Sequence, residues 1–94
     1  MFFTNSVKAL KFKFIVKRTF AADDEIALTN TGITPLSFYL AENKETPAPV
    51  TAITVAANDS IKVLASDLGP LTNLYLMVYN PDDVSKGEYD VELL

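Results

Sequence analysis

The sequence predicts an all-β fold, a small antiparallel β-sandwich of about seven strands, with a small β-barrel as the alternative. Three observations lead there. Hydrophobic residues recur with a period of two almost throughout, the mark of half-buried strands. Turn-forming residues interrupt the chain roughly every 8–12 residues, as in two packed sheets. No stretch carries a sustained helical repeat.

Size and composition agree with this. The chain has 94 residues, room for one domain. With 49% hydrophobic residues, six Phe and four Tyr, it is too apolar for a disordered chain. Residues 1–9 are expected to form an N-terminal arm and residues 10–94 a single sandwich domain.

From Leu10 the chain sets Leu10, Phe12, Phe14 and Val16 on one face and Lys11, Lys13 and Lys17 on the other. Ile15 breaks the alternation and predicts a bulge or the start of a second buried face. After a turn at residues 21–24, Ile26 and Leu28 mark a second strand that ends at Asn30-Thr31-Gly32. Leu36, Phe38 and Leu40 oppose Ser37, Tyr39 and Ala41 in a third. Residues 42–49, polar and twice interrupted by proline, form the longest loop. A fourth strand spans about residues 50–57, Asn58-Asp59 makes a tight turn, and Ile61 and Val63 mark a fifth.

Residues 66–70 read as one helical turn, with Ser66 as cap, Gly69 as stop and Pro70 preventing continuation. Residues 74–80 are apolar on both faces, with Leu74, Leu76 and Val78 opposed to Tyr75, Met77 and Tyr79, which predicts a central strand. After a turn at Asn80-Pro81-Asp82-Asp83, the last strand sets Tyr89, Val91 and Leu93 against Glu88, Asp90 and Glu92. The connectivity is expected to be immunoglobulin-like or jelly-roll-like.

Gly87-Glu88-Tyr89-Asp90-Val91 resembles the Gly-x-Tyr-x-Cys end of immunoglobulin-like domains, where the tyrosine pins a corner. Val91 stands in place of the Cys, Ser85 where an Asp is usual, and the chain has no Trp. The resemblance spans five residues, implies a sandwich and implies no function.

The chemistry available is narrow. Without Cys there is neither a disulfide nor a thiolate metal site, and without His the commonest general base near neutral pH is missing. Ser–His and Cys–His nucleophiles cannot be built. The three glycines are too dispersed for a phosphate-binding loop. Asp23-Asp24-Glu25 and Asp82-Asp83 are the remaining acid pairs, and such acids in turns chiefly accept bonds from nearby amides. A non-enzyme without a cofactor or metal is expected.

Charge is unevenly distributed. The chain totals −4, yet residues 1–22 hold Lys8, Lys11, Lys13, Lys17 and Arg18 and no acid. An acidic total argues against nucleic acid as a partner, and the alternation around Phe12 and Phe14 sets the rings on the face away from the lysines. The lysines also interrupt every apolar run near the start, and nothing approaches the roughly 20 apolar residues of a membrane helix. Synthesis in the cytoplasm without an export signal, and no membrane partner, are expected.

Three surfaces are candidates for contact. Lys11, Lys13 and Lys17 on the first strand and Glu88, Asp90 and Glu92 on the last would attract each other as neighbours, within a subunit or between two. Phe2 and Phe3 lead an apolar arm suited to docking. Tyr39, Tyr75 and Tyr79 combine apolar area with hydroxyls, suited to a subunit contact, the core, or a carbohydrate. The expected role is a structural or assembly module, self-associating or decorating a particle such as a virion. The alternative is a carbohydrate- or peptide-binding module.

Overall fold

The alternating pattern is realised in eight strands, one more than expected. The computed structural model describes residues 1–94. The strands are β1 (Phe2–Val7), β2 (Phe12–Lys17), β3 (Glu25–Asn30), β4 (Leu36–Ala41), β5 (Ile53–Val55), β6 (Ser60–Leu64), β7 (Tyr75–Tyr79) and β8 (Gly87–Leu93). The extra strand is β1. Residues read as an arm form an antiparallel ladder with β8, Phe2 opposite Glu92 through Val7 opposite Gly87.

Pairing follows one rule. The first strand pairs with the last, β2 with β7, β3 with β6, and β4 with β5, always antiparallel. The chain is thus one long two-stranded antiparallel ribbon, folded back at the β4–β5 connection and rolled up. Contacts of β3 with β8 and of β4 with β7 join the turns of the roll into two four-stranded sheets. Sheet A has the order β1-β8-β3-β6 and sheet B the order β2-β7-β4-β5. This is a jelly roll, so of the two expected connectivities the immunoglobulin-like one is not adopted.

The core lies between the sheets. Ile26, Leu28 and Val91 of sheet A meet Leu36, Phe38, Leu76 and Val78 of sheet B, all fully buried. Tyr89 packs edge-on against Phe38 with ring centroids 6.3 Å apart. It therefore works inside the core across the two sheets.

Sheet B is also covered outside. Tyr39, Ala41 and Met77 are buried on its outer face beneath the connection that carries Ala48 and Ala52. That second cover explains why β4 and β7 are apolar on both faces.

Three inner-face expectations change, at Phe12, Phe14 and Leu10. Phe12 lies opposite Tyr79 and Phe14 opposite Met77, so both rings occupy the outer face of sheet B. They are 36% and 43% exposed. Lys13, opposite the buried Val78, takes the inward position. The register shifts between Phe14 and Val16, so the irregularity expected at Ile15 is present and reverses the phase of the strand. Leu10 is not in a strand: it sits exposed in the β1–β2 turn with φ of 58°.

The short helical turn is a 3₁₀ turn at Ala65–Asp67, where Asp67 rather than Ser66 supplies the cap by accepting from the Leu64 amide at 3.0 Å.

Candidate functional site

Buried asparagine holds the β1–β2 corner in place. Asn80, at the end of β7, is fully buried. Its side-chain amide donates to the carbonyls of Val7 at 3.2 Å and Ser85 at 2.8 Å, while its Oδ1 accepts from the Asp82 amide at 2.9 Å. Its backbone amide donates to the Lys11 carbonyl at 3.0 Å. One residue thus ties the end of β1, the start of β2 and the β7–β8 turn together. Asp82 tightens that turn by accepting from the amides of Ser85 at 2.6 Å and Val84 at 3.0 Å. Those bonds, with Ser85 the stronger, hold its carboxyl below the ordinary range.

On this corner stand Lys8, Lys11 and Lys13. Lys13 reaches from its inward position around the sandwich edge, and its Nζ donates to the Ser6 carbonyl at 3.0 Å. Across β2 lie Lys44 and Glu45, on the connection that covers sheet B. Tyr39 secures that connection, its hydroxyl donating to the Thr46 carbonyl at 2.7 Å. Between these walls runs a groove of about 450 Å³, lined by Ser6, Val7, Lys8, Lys11, Phe12, Lys13, Phe14, Lys44 and Glu45. Four lysines and two phenylalanines meet there with one acid.

The rings continue along the outer face. Phe14 meets Tyr75 edge-on at 5.9 Å, and Lys17 Nζ lies 5.3 Å from the centroid of the Tyr75 ring. Tyr75 and Tyr79 are half-buried at the rim of the outer cluster. None of these lysines is in an ion pair, since the chain's two ion pairs are Lys62–Glu25 at 3.1 Å and Lys86–Glu88 at 3.6 Å, both exposed.

No family model, curated protein or solved structure matches this chain.

The other sequence candidates fall elsewhere. Glu88, Asp90 and Glu92 line the outer face of sheet A, on β8 between β1 and β3. Asp90 accepts from the Thr4 hydroxyl at 3.0 Å, and Phe2, opposite Glu92, is exposed on the same face. The lysine strand and the acidic strand belong to different sheets, so they are not neighbours within a subunit. Phe3 is half-buried against the core, opposite Val91. Tyr39 is fully buried and is therefore a support for the covering connection, closed to any surface partner. The turn acids do not gather: no three acidic side chains come together. No helix is long and apolar enough to cross a membrane.

Sequence reasoning missed Lys8, Lys44, Phe12 and Phe14. It also kept rings and lysines apart on the ground that they alternate. They do alternate, but β2 is an edge strand, and an inward lysine at an edge swings out of the sandwich. The broken rhythm at Ile15 was the one local signal that the phase of β2 was open.

Proposed function

We propose that the protein is a non-catalytic assembly module that joins copies of itself head to tail, as a subunit or decorating component of a larger particle. One copy presents the outer face of sheet B, with Lys17, Lys44 and the Phe14–Tyr75 pair. The next copy presents the outer face of sheet A, with Phe2, Glu88, Asp90 and Glu92. The observation that carries this reading is the placement of the two charge sets on opposite sides of one sandwich. Of these, Asp90, Glu92, Lys17 and Lys44 have no ionic partner in their own chain, so pairing is available only between chains. A contact between unlike faces propagates into rings or filaments.

Jelly rolls serve both virus shells and lectins, so the fold alone does not choose between assembly and sugar binding. Tyrosine placement favours assembly. Tyr39 is buried, and Tyr75 is already engaged edge-on by Phe14 and by Lys17.

Light scattering over protein concentration and salt tests the reading. An oligomer that dissociates as salt rises is expected, because exposed charges are screened beyond about 10 Å at 0.1 M salt. Lys17→Glu with Lys44→Glu makes both faces acidic, and Asp90→Lys with Glu92→Lys makes both basic. Each variant alone should stay monomeric and their mixture should assemble. A wild-type protein that is a strict monomer throughout removes the reading.

A further inference from the structure

We propose that the free edge of β2 is a docking site for an extended acidic segment of a partner protein, which joins sheet B as an added strand alongside Phe12 and Phe14. This goes beyond assembly and does not depend on it: Phe14 and Lys44 border both surfaces, but the backbone groups of the β2 edge serve only this one.

The backbone supplies the first argument. The Lys11 carbonyl accepts from Asn80 of the β7 strand end, and Lys13 is opposite Val78. In an antiparallel ladder alternate residues turn their N–H and C=O groups to the same neighbour. The Lys11 carbonyl and the backbone groups of Lys13 therefore face β7, while the Lys11 amide donates to the Lys8 carbonyl and the amides and carbonyls of Phe12 and Phe14 face away from β7. β2 ends its sheet, and no backbone bond outside the ladders involves either phenylalanine. Such a row of free groups is a template for strand addition.

Charge supplies the second. Lys8, Lys11, Lys13 and Lys44 border this edge against the single acid Glu45. A second β2 edge would bring lysine against lysine, which is unfavourable, whereas acidic side chains would meet ammonium groups that have no ionic partner. Edge lysines commonly protect against indiscriminate pairing. Here they sort strands by charge, and the groove beside them leaves space for the strand they admit.

The register defines the segment. Residues beside Lys11 and Lys13 should be acidic, and those beside the exposed rings of Phe12 and Phe14 apolar. The irregularity at Ile15 ends the usable ladder, so the segment is short and alternates acidic with apolar residues.

The probe is an octapeptide alternating Glu and Val, titrated into isotope-labelled protein at concentrations where the protein is monomeric. Binding is expected to slow hydrogen exchange at the Phe12 and Phe14 amides. Affinity should fall about tenfold or more when alternate peptide amides are N-methylated, because the ladder then loses donors. Lys8→Glu with Lys11→Glu should lower it similarly, and a Lys–Val peptide should not bind. The proposal is overturned by no binding, by unchanged affinity after N-methylation, or by an oligothymidylate binding in preference to the peptide. A strict monomer in light scattering would remove the assembly reading and leave every one of these readouts in place.

Discussion

Gly87 backs directly onto Leu36: a β-carbon at position 87 would overlap the Leu36 side chain, whose Cγ lies 3.3 Å from that point. Leu36 is fully buried on the facing sheet, so at this point the two sheets pack across a residue that has no side chain. Gly87→Ala should destabilise the fold by about 1–3 kcal/mol, as other overpacked cores do. Leu36→Val in the same chain should recover part of the loss. Thermal unfolding of both singles and the double variant measures the coupling.

Asn80→Ala should cost about 2–3 kcal/mol, because it loses the buried bond to the Val7 carbonyl and the part-buried bonds to the Ser85 carbonyl and the Asp82 amide. Asn80→Asp keeps the acceptor and loses both donors, so it should be similarly harmful. Denaturant midpoints test this, and amide exchange at Leu10 and Lys11 should show the corner loosening first.

Burial pushes the Tyr39 phenol up to about 12 from its ordinary 10.0 and raises that of Tyr89 as well. Both groups are held neutral, so folding gains stability that is fully present below pH 10. For Tyr39 that stability is lost as pH rises from 10 towards about 12. Tyr39→Phe should lose the bond to Thr46, about 1 kcal/mol at neutral pH, and should unfold less steeply in alkali. Stability measured against pH, with tyrosinate absorbance as a second readout, decides it.

Leu10 holds a left-handed backbone conformation at φ 58°, which a side chain with a β-carbon adopts at a cost of about 1–2 kcal/mol. Leu10→Gly should stabilise the protein by about 0.5–1 kcal/mol once the extra freedom of glycine in the unfolded chain is subtracted. Asn58, at φ 62° in the β5–β6 turn, tolerates that conformation better, and Asn58→Gly should change stability less. Equilibrium unfolding of both variants checks the order.

Salt should separate folding from association. The two intramolecular ion pairs are exposed, and such pairs contribute about 0–1 kcal/mol each. Raising the salt should therefore move the melting temperature of the monomer very little while it dissolves any oligomer. A monomer that melts much earlier in salt would mean that charge holds the fold itself.

Much of the architecture was legible because both faces of its central strands have fixed surroundings. Residues 74–80 announce a doubly covered strand, and the Leu36, Phe38, Leu40 and Tyr89, Val91, Leu93 sets lie on the predicted inner faces. Edges were harder to read. In β1, Phe2 is exposed and Asn5 sits opposite Tyr89, so neither face shows a clean pattern. In β2, Lys-Phe-Lys-Phe satisfies either phase, since a strand at a margin gains little by burying one set over the other. The seating of Tyr39 depends on a distant connection folding over it, and the groove on three segments converging. Neither relation leaves a local trace.

The rolled ribbon also constrains how the molecule forms. Only β4 and β5 are both consecutive and paired, so each further ladder becomes accessible as the one nearer the hairpin closes, and the two chain ends meet last. Those ends touch, with the Leu93 amide donating to the Met1 carbonyl at 2.9 Å. Joining them by a peptide linkage would give the zipper a second starting point, and refolding should accelerate as the loop-closure entropy of the outermost pair is removed in advance.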